Sequence, residues 1–304
     1  MTKQEFTRLA QAGTVLLDGA TGSNLRAAGM PVGVCAETWI LDHPEVMLEL
    51  QRGYVEAGSA ILCAPTFSAH RLRLKDFGLE RETGALNARL TALTREAAGG
   101  RALVAGDLST LGQPLEPLGS LSYSEAYDIY REHMEALAAA GVDLFALETL
   151  MGMDEAVAAL DAAADLDLPV WCSFSAESDG TLPFGGNVRE AAAALQEMGA
   201  AAVGVNCSVG PDQLEAVVRS IREAVDIPVV AKPNAGIPAI DELGRARYSM
   251  GPEAFARHMA VLVSAGANLA GGCCGTTPAY IRALRQRLPP TDGQSGGFAA
   301  EGSF

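Results

Sequence analysis

Eight short apolar runs, separated by helical patterns, constrain the fold of this chain more than any other feature of its sequence. Most of these runs are apolar at every position, which is typical of parallel strands buried on both faces. The segments between them show helical periodicity, and several end in a glycine directly before the next run. In one of these segments Ser124 is the predicted N-cap of a helix that ends at Gly141. The runs begin at Val15, Ser59, Arg101, Val142, Pro169, Ala201, Ile227 and Ala267.

Eight strand–helix units in series predict an α/β protein with one (β/α)8 (TIM) barrel domain. The alternative is a doubly wound open sheet, but no GxGxxG motif follows the first run. We expect the barrel to span residues 1–288. The Pro/Gly-rich stretch 112–123 is expected to be a long loop after the third strand, and the Pro/Gly/Ser-rich tail 289–304 to be disordered.

The charge of the chain limits its partners. The 304 residues include 22 Lys and Arg against 37 Asp and Glu, a formal net charge of −15. Nucleic acids and anionic membranes need a basic face, so we expect neither as a partner. No apolar run reaches the roughly 18 residues of a membrane span, and the N-terminus lacks the apolar region of a secretory signal. The sequence therefore predicts a cytoplasmic protein.

Polar residues collect where the predicted strands end. The active site of a (β/α)8 barrel lies at this C-terminal end of the strands, so these side chains are expected to share one rim. Asp18 and Glu148 could act as a general acid and base or bind a substrate ammonium group. The strand ends read Asp18-Gly19-Ala20, Pro65-Thr66, Gly106-Asp107, Glu148-Thr149, Ser173, Asn206-Cys207-Ser208, Lys232-Pro233-Asn234 and Gly272-Cys273-Cys274.

The most specific motif is the pair Cys273–Cys274 between glycines. Neighbouring residues of a regular strand point to opposite faces, but the flanking glycines permit an irregular backbone that turns both thiols inward. Cys207, at the end of the sixth run, would face the same mouth. Three thiolates suit Zn²⁺ and leave its fourth tetrahedral position open, as in catalytic zinc sites. The alternatives are thiols that merely pack and a glycine loop that binds phosphate.

Other reactive residue types have simpler explanations. Cys63 and Cys172, in mid-strand, and Cys35, in a loop, are expected to pack without chemistry. The four histidines show no ligand spacing, and His133 and His258 lie in helical patterns, where we expect surface or packing roles. Lys232 could be a Schiff-base nucleophile or an ion-pair partner of Asp107 or Glu148.

Two motifs connect the chain with a known family. GVNCS, from Gly204, and GGCCGTTP, from Gly271, resemble the zinc-dependent homocysteine S-methyltransferases. The resemblance extends over nearly the whole chain, through LDGATGSNL, PTFSAHRLRL, LETL and AKPNAG. The N-terminal segment is most similar to the homocysteine-binding barrel of cobalamin-dependent methionine synthases.

The resemblance implies roles for individual residues. Cys207, Cys273 and Cys274 would hold a catalytic Zn²⁺. Asp18 and Glu148 would bind the homocysteine amino group. The backbone of Gly19 and Ala20 would approach the amino-acid part of the substrate, and Thr66 and Asn206 would line the same pocket. The family often has Asn where this chain has Pro65 and His70, so the lip of the pocket departs from the family pattern.

The resemblance further implies an enzyme that moves a methyl group to the sulfur of homocysteine to give methionine. The expected donor is a methylcorrinoid on a separate protein. Asp42-His43-Pro44 lacks the downstream glycine of a cobalamin-binding DxHxxG motif, and no methyl-carrying module fits in the tail. The alternatives are a direct S-methylmethionine- or betaine-type donor, a non-catalytic homocysteine-binding subunit of a larger complex, and a Lys232 Schiff-base lyase. The oligomeric state stays open.

Overall fold

The computed structural model of the protein describes residues 1–240 and 246–288, so the predicted disordered tail lies outside the described residues. Within them, all eight apolar runs form strands of one parallel sheet. The strands are β1 (Val15–Leu16), β2 (Ile61–Cys63), β3 (Leu103–Ser109), β4 (Leu144–Leu150), β5 (Val170–Phe174), β6 (Ala202–Cys207), β7 (Val229–Pro233) and β10 (Leu269–Ala270). Their order around the sheet is β1-β10-β7-β6-β5-β4-β3-β2.

Backbone contacts between the first two strands close this sheet into a barrel. The N–H of Ala60 donates to the carbonyl of Leu16 at 2.7 Å, and Leu17 forms a parallel bridge with Ile61. The predicted (β/α)8 barrel is thereby confirmed.

Helices connect the strands and cover the outside of the barrel. Pro44 starts α4 and Gly58, in the left-handed conformation, caps its end, as the sequence predicts. The expected N-cap Ser124 is wrong, because Ser122 caps α7 and forms a capping box with Glu125. The helices are α1 (Lys3–Gln11), α2 (Gly22–Ala27), α3 (Ala36–Asp42), α4 (Pro44–Ala57), α5 (Arg71–Leu74), α6 (Thr83–Ala98), α7 (Tyr123–Ala139), α8 (Met153–Ala163), α9 (Val188–Glu197), α10 (Glu215–Ala224), α11 (Pro252–Ser264) and α12 (Pro278–Arg287), with 3₁₀ turns at Lys75–Phe77 and Pro211–Gln213.

Alternate residues of each strand face the barrel interior, and their chemistry changes along the strand. The lower interior is an apolar cluster that includes Ala105, Leu144 and Trp171. Two positions after Ala105 comes Asp107, and four after Leu144 comes Glu148, both buried. Because a strand alternates with a period of two, the same rows that are apolar at the bottom become polar at the C-terminal end.

Two elements were not expected from the sequence. Helix α1 precedes the first strand, and its buried Phe6 and Ala10 belong to the apolar cluster of the lower interior, so α1 closes the bottom of the barrel. A hairpin of β8 (Pro238–Ile240) and β9 (Ala246–Tyr248) follows β7. None of the described helices is both long and apolar enough to cross a bilayer.

Candidate metal and substrate site

Three thiols meet at the C-terminal end of the barrel. Cys207 ends β6, while Cys273 and Cys274 follow β10. The Sγ atoms of the three cysteines all lie within 4.8 Å of one another, and those of Cys207 and Cys274 are 4.0 Å apart. Cys207 has a φ of 59°, an uncommon value for a residue other than glycine, and this left-handed turn stops the strand at its sulfur.

The glycines around Cys273 and Cys274 have a steric role. β10 ends at Ala270, so the two cysteines lie in a turn beyond the strand and need not point to opposite faces. A Cβ on Gly272 would lie 2.5 Å from the Thr276 hydroxyl, and one on Gly275 would lie 2.3 Å from the ring of Tyr248. The predicted irregular backbone thus depends on the close approach of Thr276 and Tyr248.

The three sulfurs form a polarised cluster. Hydrogen bonds from the Cys207 and Cys273 thiols lower the pKa of Cys274 to about 3. The corresponding contacts with Cys207 and Cys274 raise the pKa of the Cys273 thiol well above its ordinary value. One thiolate shared by two thiols is therefore the expected state of these groups without a cation.

The sulfur spacing fits a soft divalent cation. In a tetrahedral site with Zn–S bonds of about 2.3 Å, neighbouring sulfurs lie about 3.8 Å apart. The separation of 4.0 Å between Cys207 and Cys274 is close to that value. No histidine belongs to a potential ligand group in the part of the chain that the structure describes. The three cysteines could therefore hold Zn²⁺ with one coordination position left for a further ligand.

A buried cluster of charged side chains lies in the same barrel. Nζ of Lys232 is 2.6 Å from Oε1 of Glu148 and 3.4 Å from Oδ1 of Asp18. The second oxygen of Asp18, Oδ2, accepts a hydrogen bond of 2.7 Å from the backbone N–H of Cys63. Asp107 is also buried, and its Oδ1 accepts no hydrogen bond among the described residues. The ion-pair role weighed for Lys232 is the one observed with Glu148, and Asp18 is the second partner.

Burial and mutual attraction set the protonation of this cluster. Burial raises the pKa of Asp18, while Lys232 and the Cys63 N–H oppose the rise. Burial and the charge of Glu148 raise the pKa of Asp107 well above its ordinary range. Burial by itself lowers the pKa of Lys232, but the surrounding negative groups outweigh it and raise that pKa well above the ordinary value. Lys232 is therefore a charged ammonium at neutral pH, which argues against a Schiff-base nucleophile.

Gly19 and Ala20 are held against the cysteine turn. The N–H of Ala20 donates to the Thr276 hydroxyl at 3.0 Å, and its carbonyl accepts from the Tyr54 hydroxyl at 2.8 Å. A Cβ on Gly19 would lie 2.7 Å from the same two hydroxyl oxygens. Only glycine fits there, and Thr276 joins this segment to Cys273, whose carbonyl its hydroxyl contacts at 2.7 Å.

Asn206 and Thr66 are fully engaged in internal hydrogen bonds. Oδ1 of Asn206 accepts from the Thr149 N–H and the Ser173 hydroxyl, both at 2.8 Å, and its Nδ2 donates to the Thr149 hydroxyl. The Thr66 hydroxyl donates to the backbone carbonyl of Asp107 and accepts from its N–H. Both side chains therefore position their neighbours, Glu148–Thr149 and Asp107.

Sequence reasoning missed several residues of the site. Thr276 lies in the motif GGCCGTTP, but the sequence assigns it no role, and Tyr248 carries no signal, because the contacts of both depend on the turn after β10. Cys63 was expected to pack in mid-strand, but it ends β2, and its sulfur accepts a hydrogen bond from Lys232 at 3.4 Å. Cys172 and Cys35 do pack as expected, both buried.

No histidine belongs to the thiol cluster among the residues that the structure describes. His133 is buried in α7 and bonds to Oδ1 of Asn87 at 3.0 Å, with the ring of His70 6.0 Å away. His70, at the position where the family pattern has Asn, caps α5. The packing role expected for His133 is the one observed.

The fold and the site together define a (β/α)8 barrel enzyme with a cysteine-rich centre at the C-terminal end of its strands. The sequence model of the homocysteine S-methyltransferase family matches residues 15–288. The chain therefore belongs to the homocysteine S-methyltransferase family.

Individual relatives agree with this family. The chain is 30% identical to methionine synthase of Mycobacterium tuberculosis over 284 residues, covering 87% of this chain and 24% of that protein. It therefore spans about a quarter of the length of the curated relatives it matches, including that of Mycobacterium leprae at 30% identity. The metallated form of the homocysteine methyltransferase MmuM from Escherichia coli superposes with a TM-score of 0.77 at 27% identity, covering 91% of this chain and 96% of that one.

Proposed function

We propose that the protein is a zinc-dependent enzyme that transfers a methyl group from a methylcorrinoid protein to the sulfur of homocysteine, giving methionine. The observation that carries this proposal is that the three thiols meet at the C-terminal end of the strands, the same end of the barrel at which Asp18 follows β1 and Glu148 lies near the end of β4. A cation held by these three ligands, with no fourth among the described residues, can take a substrate thiol. A buried carboxylate pair suits the amino group of the same substrate.

The thiols Cys207, Cys273 and Cys274 would hold the Zn²⁺. A free thiol has a pKa of about 8.5, so at neutral pH it is mostly uncharged and a weak nucleophile. A thiol that binds zinc is deprotonated. The three cysteines add negative charge at this centre, which keeps a sulfur bound there electron-rich. These thiols must remain reduced to serve as ligands, which agrees with the cytoplasmic location that the sequence predicts.

Asp18 and Glu148 would orient the acceptor. Among the described residues, Oε1 of Glu148 is buried and has no neighbour but the Lys232 ammonium at 2.6 Å, so this carboxylate can also accept a bond from the substrate ammonium group. The backbone of Gly19 and Ala20, which Thr276 and Tyr54 hold in place, would contact the amino-acid part of the substrate. A substrate held at its ammonium end keeps its sulfur directed at the thiols, so that the methyl donor needs to approach only from the open face.

The corrinoid donor is supported by two observations. The curated relatives are methionine synthases, and this chain matches only about a quarter of their length. In addition, none of the four histidines stands in a DxHxxG motif, so a corrinoid would not be held by a motif of this kind within these 304 residues. The alternative is a direct donor, for example S-methylmethionine. Its support is that this chain covers 96% of the E. coli homocysteine methyltransferase, so the barrel matches nearly the whole of that chain.

A donor panel tests the proposal. Zinc-loaded protein is incubated with homocysteine and either methylated corrinoid protein, methylcobalamin, S-methylmethionine or betaine, and methionine is measured by mass spectrometry. We expect methionine with the methylated corrinoid protein, and at least about a hundredfold less after Cys207→Ala, because a zinc ligand is lost.

Cys172→Ala is the matched control, because Cys172 is a buried thiol of β5 outside the site. It should keep its zinc and its activity. If methionine forms from S-methylmethionine but not from the methylated corrinoid protein, the proposed donor is wrong, and homocysteine stands as the acceptor. Zinc-loaded protein that forms no methionine with any donor, and binds no homocysteine, would contradict the proposal.

A further inference from the structure

Lys232 occupies the centre of the carboxylate cluster. It enters from β7, on the opposite side of the barrel from β3 and β4, and is only 3% exposed. Its Nζ contacts Glu148 at 2.6 Å, Asp18 at 3.4 Å and the Cys63 sulfur at 3.4 Å. Cys63, Asp107 and Glu148 each offer a donor atom within 4.8 Å of the others, which is cation-binding geometry. The ammonium of Lys232 fills that position.

The charge balance of the cluster depends on this lysine. The titratable groups that face it are Asp18 after β1, Cys63 on β2, Asp107 on β3, Glu148 on β4 and Tyr54 on α4. Burial raises the pKa values of Cys63 and Tyr54 well above their ordinary values, so both are neutral. Burial and the charge of Glu148 raise the pKa of Asp107, and among the described residues Lys232 forms ion pairs with Asp18 and Glu148 but none with Asp107. Two carboxylates then face one ammonium, which leaves one surplus negative charge.

We propose that Lys232 is a specificity-determining residue: it sets the cluster to one surplus negative charge, so that the pocket accepts a thiol with a single ammonium group without exchanging protons at Asp18 or Glu148. This inference rests on the proposed function, because it takes the Asp18–Glu148 pair as the site of the substrate amino group. Without the lysine, the two carboxylates would face each other in a pocket with little water, and one of them would retain a proton. A substrate ammonium would then have to displace that proton.

Calorimetry on the zinc-loaded protein counts these protons. Homocysteine is titrated into wild type and Lys232→Met in buffers of different ionisation enthalpy at pH 7. Wild type should release only the proton of the substrate thiol, and Lys232→Met should release about one more. The second titrant is 4-mercaptobutanoate, which is homocysteine without its amino group. It should release the same number of protons from both proteins, because no ammonium displaces the retained proton.

Two variants serve as controls. Lys232→Arg keeps the positive charge and should return the proton count to the wild-type value. Lys75→Met removes an exposed lysine of the 3₁₀ turn Lys75–Phe77 and should change nothing. Equal zinc content shows that each variant is folded at the site.

Wild type alone provides a second test if Lys232→Met fails to fold. Its Kd for homocysteine should be at least about tenfold lower than its Kd for 4-mercaptobutanoate. The ratio of the Kd for 4-mercaptobutanoate to the Kd for homocysteine should stay constant between pH 8 and 6.5. A ratio that falls as the pH is lowered, or an equal proton count for wild type and Lys232→Met, would overturn the role of Lys232 while the acceptor assignment stands. Wild type that binds no homocysteine would overturn the proposed function itself.

Discussion

At the scale of single residues, the site depends on side chains that hold other side chains. Asn206 has its amide fully used by Thr149 and Ser173. Thr149 follows Glu148, and Cys207 follows Asn206. Both Thr149 and Cys207 have a left-handed backbone, with φ of 59°. Such backbone costs about 1 kcal/mol per residue or more and persists only where neighbours hold it. Asn206 therefore positions a carboxylate and a thiol together.

Asn206→Ala should weaken zinc binding and raise the KM for homocysteine, each by about 10–100-fold, because Thr149 and Cys207 lose their support. Zinc affinity is measured by competition with a chromogenic chelator, and KM in the methyl-transfer assay. Asn268→Ala is the control, since Oδ1 of Asn268 accepts from the Val229 N–H near the start of β7. Its stability should fall with zinc affinity unchanged. Equal zinc affinity in Asn206→Ala and wild type would contradict the role of Asn206.

His70 should make the protein sensitive to acid. Burial, with a smaller contribution from Arg73 and Arg71, lowers the pKa of His70 to about 4 in the folded state, against about 6.5 in the unfolded chain. Because the folded pKa is depressed, the unfolded state binds the proton first, so stability falls as the pH drops from 6.5 towards 4. The loss attributable to His70 is about 2–3 kcal/mol near pH 4.5.

Urea unfolding at pH 7 and 4.5 measures this loss. His70→Gln should lose less stability than wild type over that interval, and His258→Gln, on the partly exposed face of α11, should behave as wild type does. An identical acid dependence in His70→Gln and wild type would be inconsistent with the assignment.

At the scale of elements, helix α1 closes the bottom of the barrel, which the strands alone do not cover. It begins with a capping box of Thr2 and Glu5, and its buried Phe6 and Ala10 cover the lower end of the interior. A (β/α)8 barrel fills its interior with side chains from the strands, so an apolar helix against that end keeps water from the lowest layer.

Phe6→Ala should destabilise the protein by about 3–5 kcal/mol, because it leaves a cavity under the barrel. Gln4→Ala, an exposed position on the same helix, should change the free energy of unfolding by less than about 0.5 kcal/mol. Both are measured by chemical denaturation. A loss below about 1 kcal/mol for Phe6→Ala would mean that α1 does not seal the interior.

The elements of the barrel were predictable because their signals are local. Continuous apolar runs mark β2 to β7, and Pro44 and Gly58 mark the ends of α4. Helix α1 and the hairpin of β8 and β9 have no such signal, because α1 is polar on most of its faces and the hairpin strands are three residues long. The N-cap of α7 was misplaced by two residues because Ser122 and Ser124 both lie at the start of the helix, and only the reciprocal bonds with Glu125 distinguish Ser122.

At the scale of the whole molecule, the proposed zinc centre connects segments far apart in the chain. Cys207 belongs to β6, whereas Cys273 and Cys274 belong to the turn after β10. A cation that binds all three stabilises the folded state over the unfolded chain, in which these ligands are separated.

Removal of zinc by a chelator should lower the Tm of wild type by about 5–10 °C. The Tm of Cys207→Ser should be insensitive to the chelator, because its centre has lost a ligand, whereas Cys35→Ser should respond as wild type does. Differential scanning calorimetry measures all three. A Tm of wild type that does not change with chelator or added zinc would contradict a bound metal at this centre.

The eight-strand barrel and the residue types at the C-terminal end of its strands could be predicted from the sequence, since strand period, helix periodicity and the direction of parallel strands are local properties. The three thiols and the pair Asp18 and Glu148 could be singled out because each lies at or just beyond the end of an apolar run. Which of these groups touch depends on the fold. Lys232 lies between Asp18 and Glu148, and Thr276 supports Ala20, because barrel closure brings together residues that are far apart in the chain. Contacts across a barrel depend on strand register and side-chain length, and no local pattern encodes them.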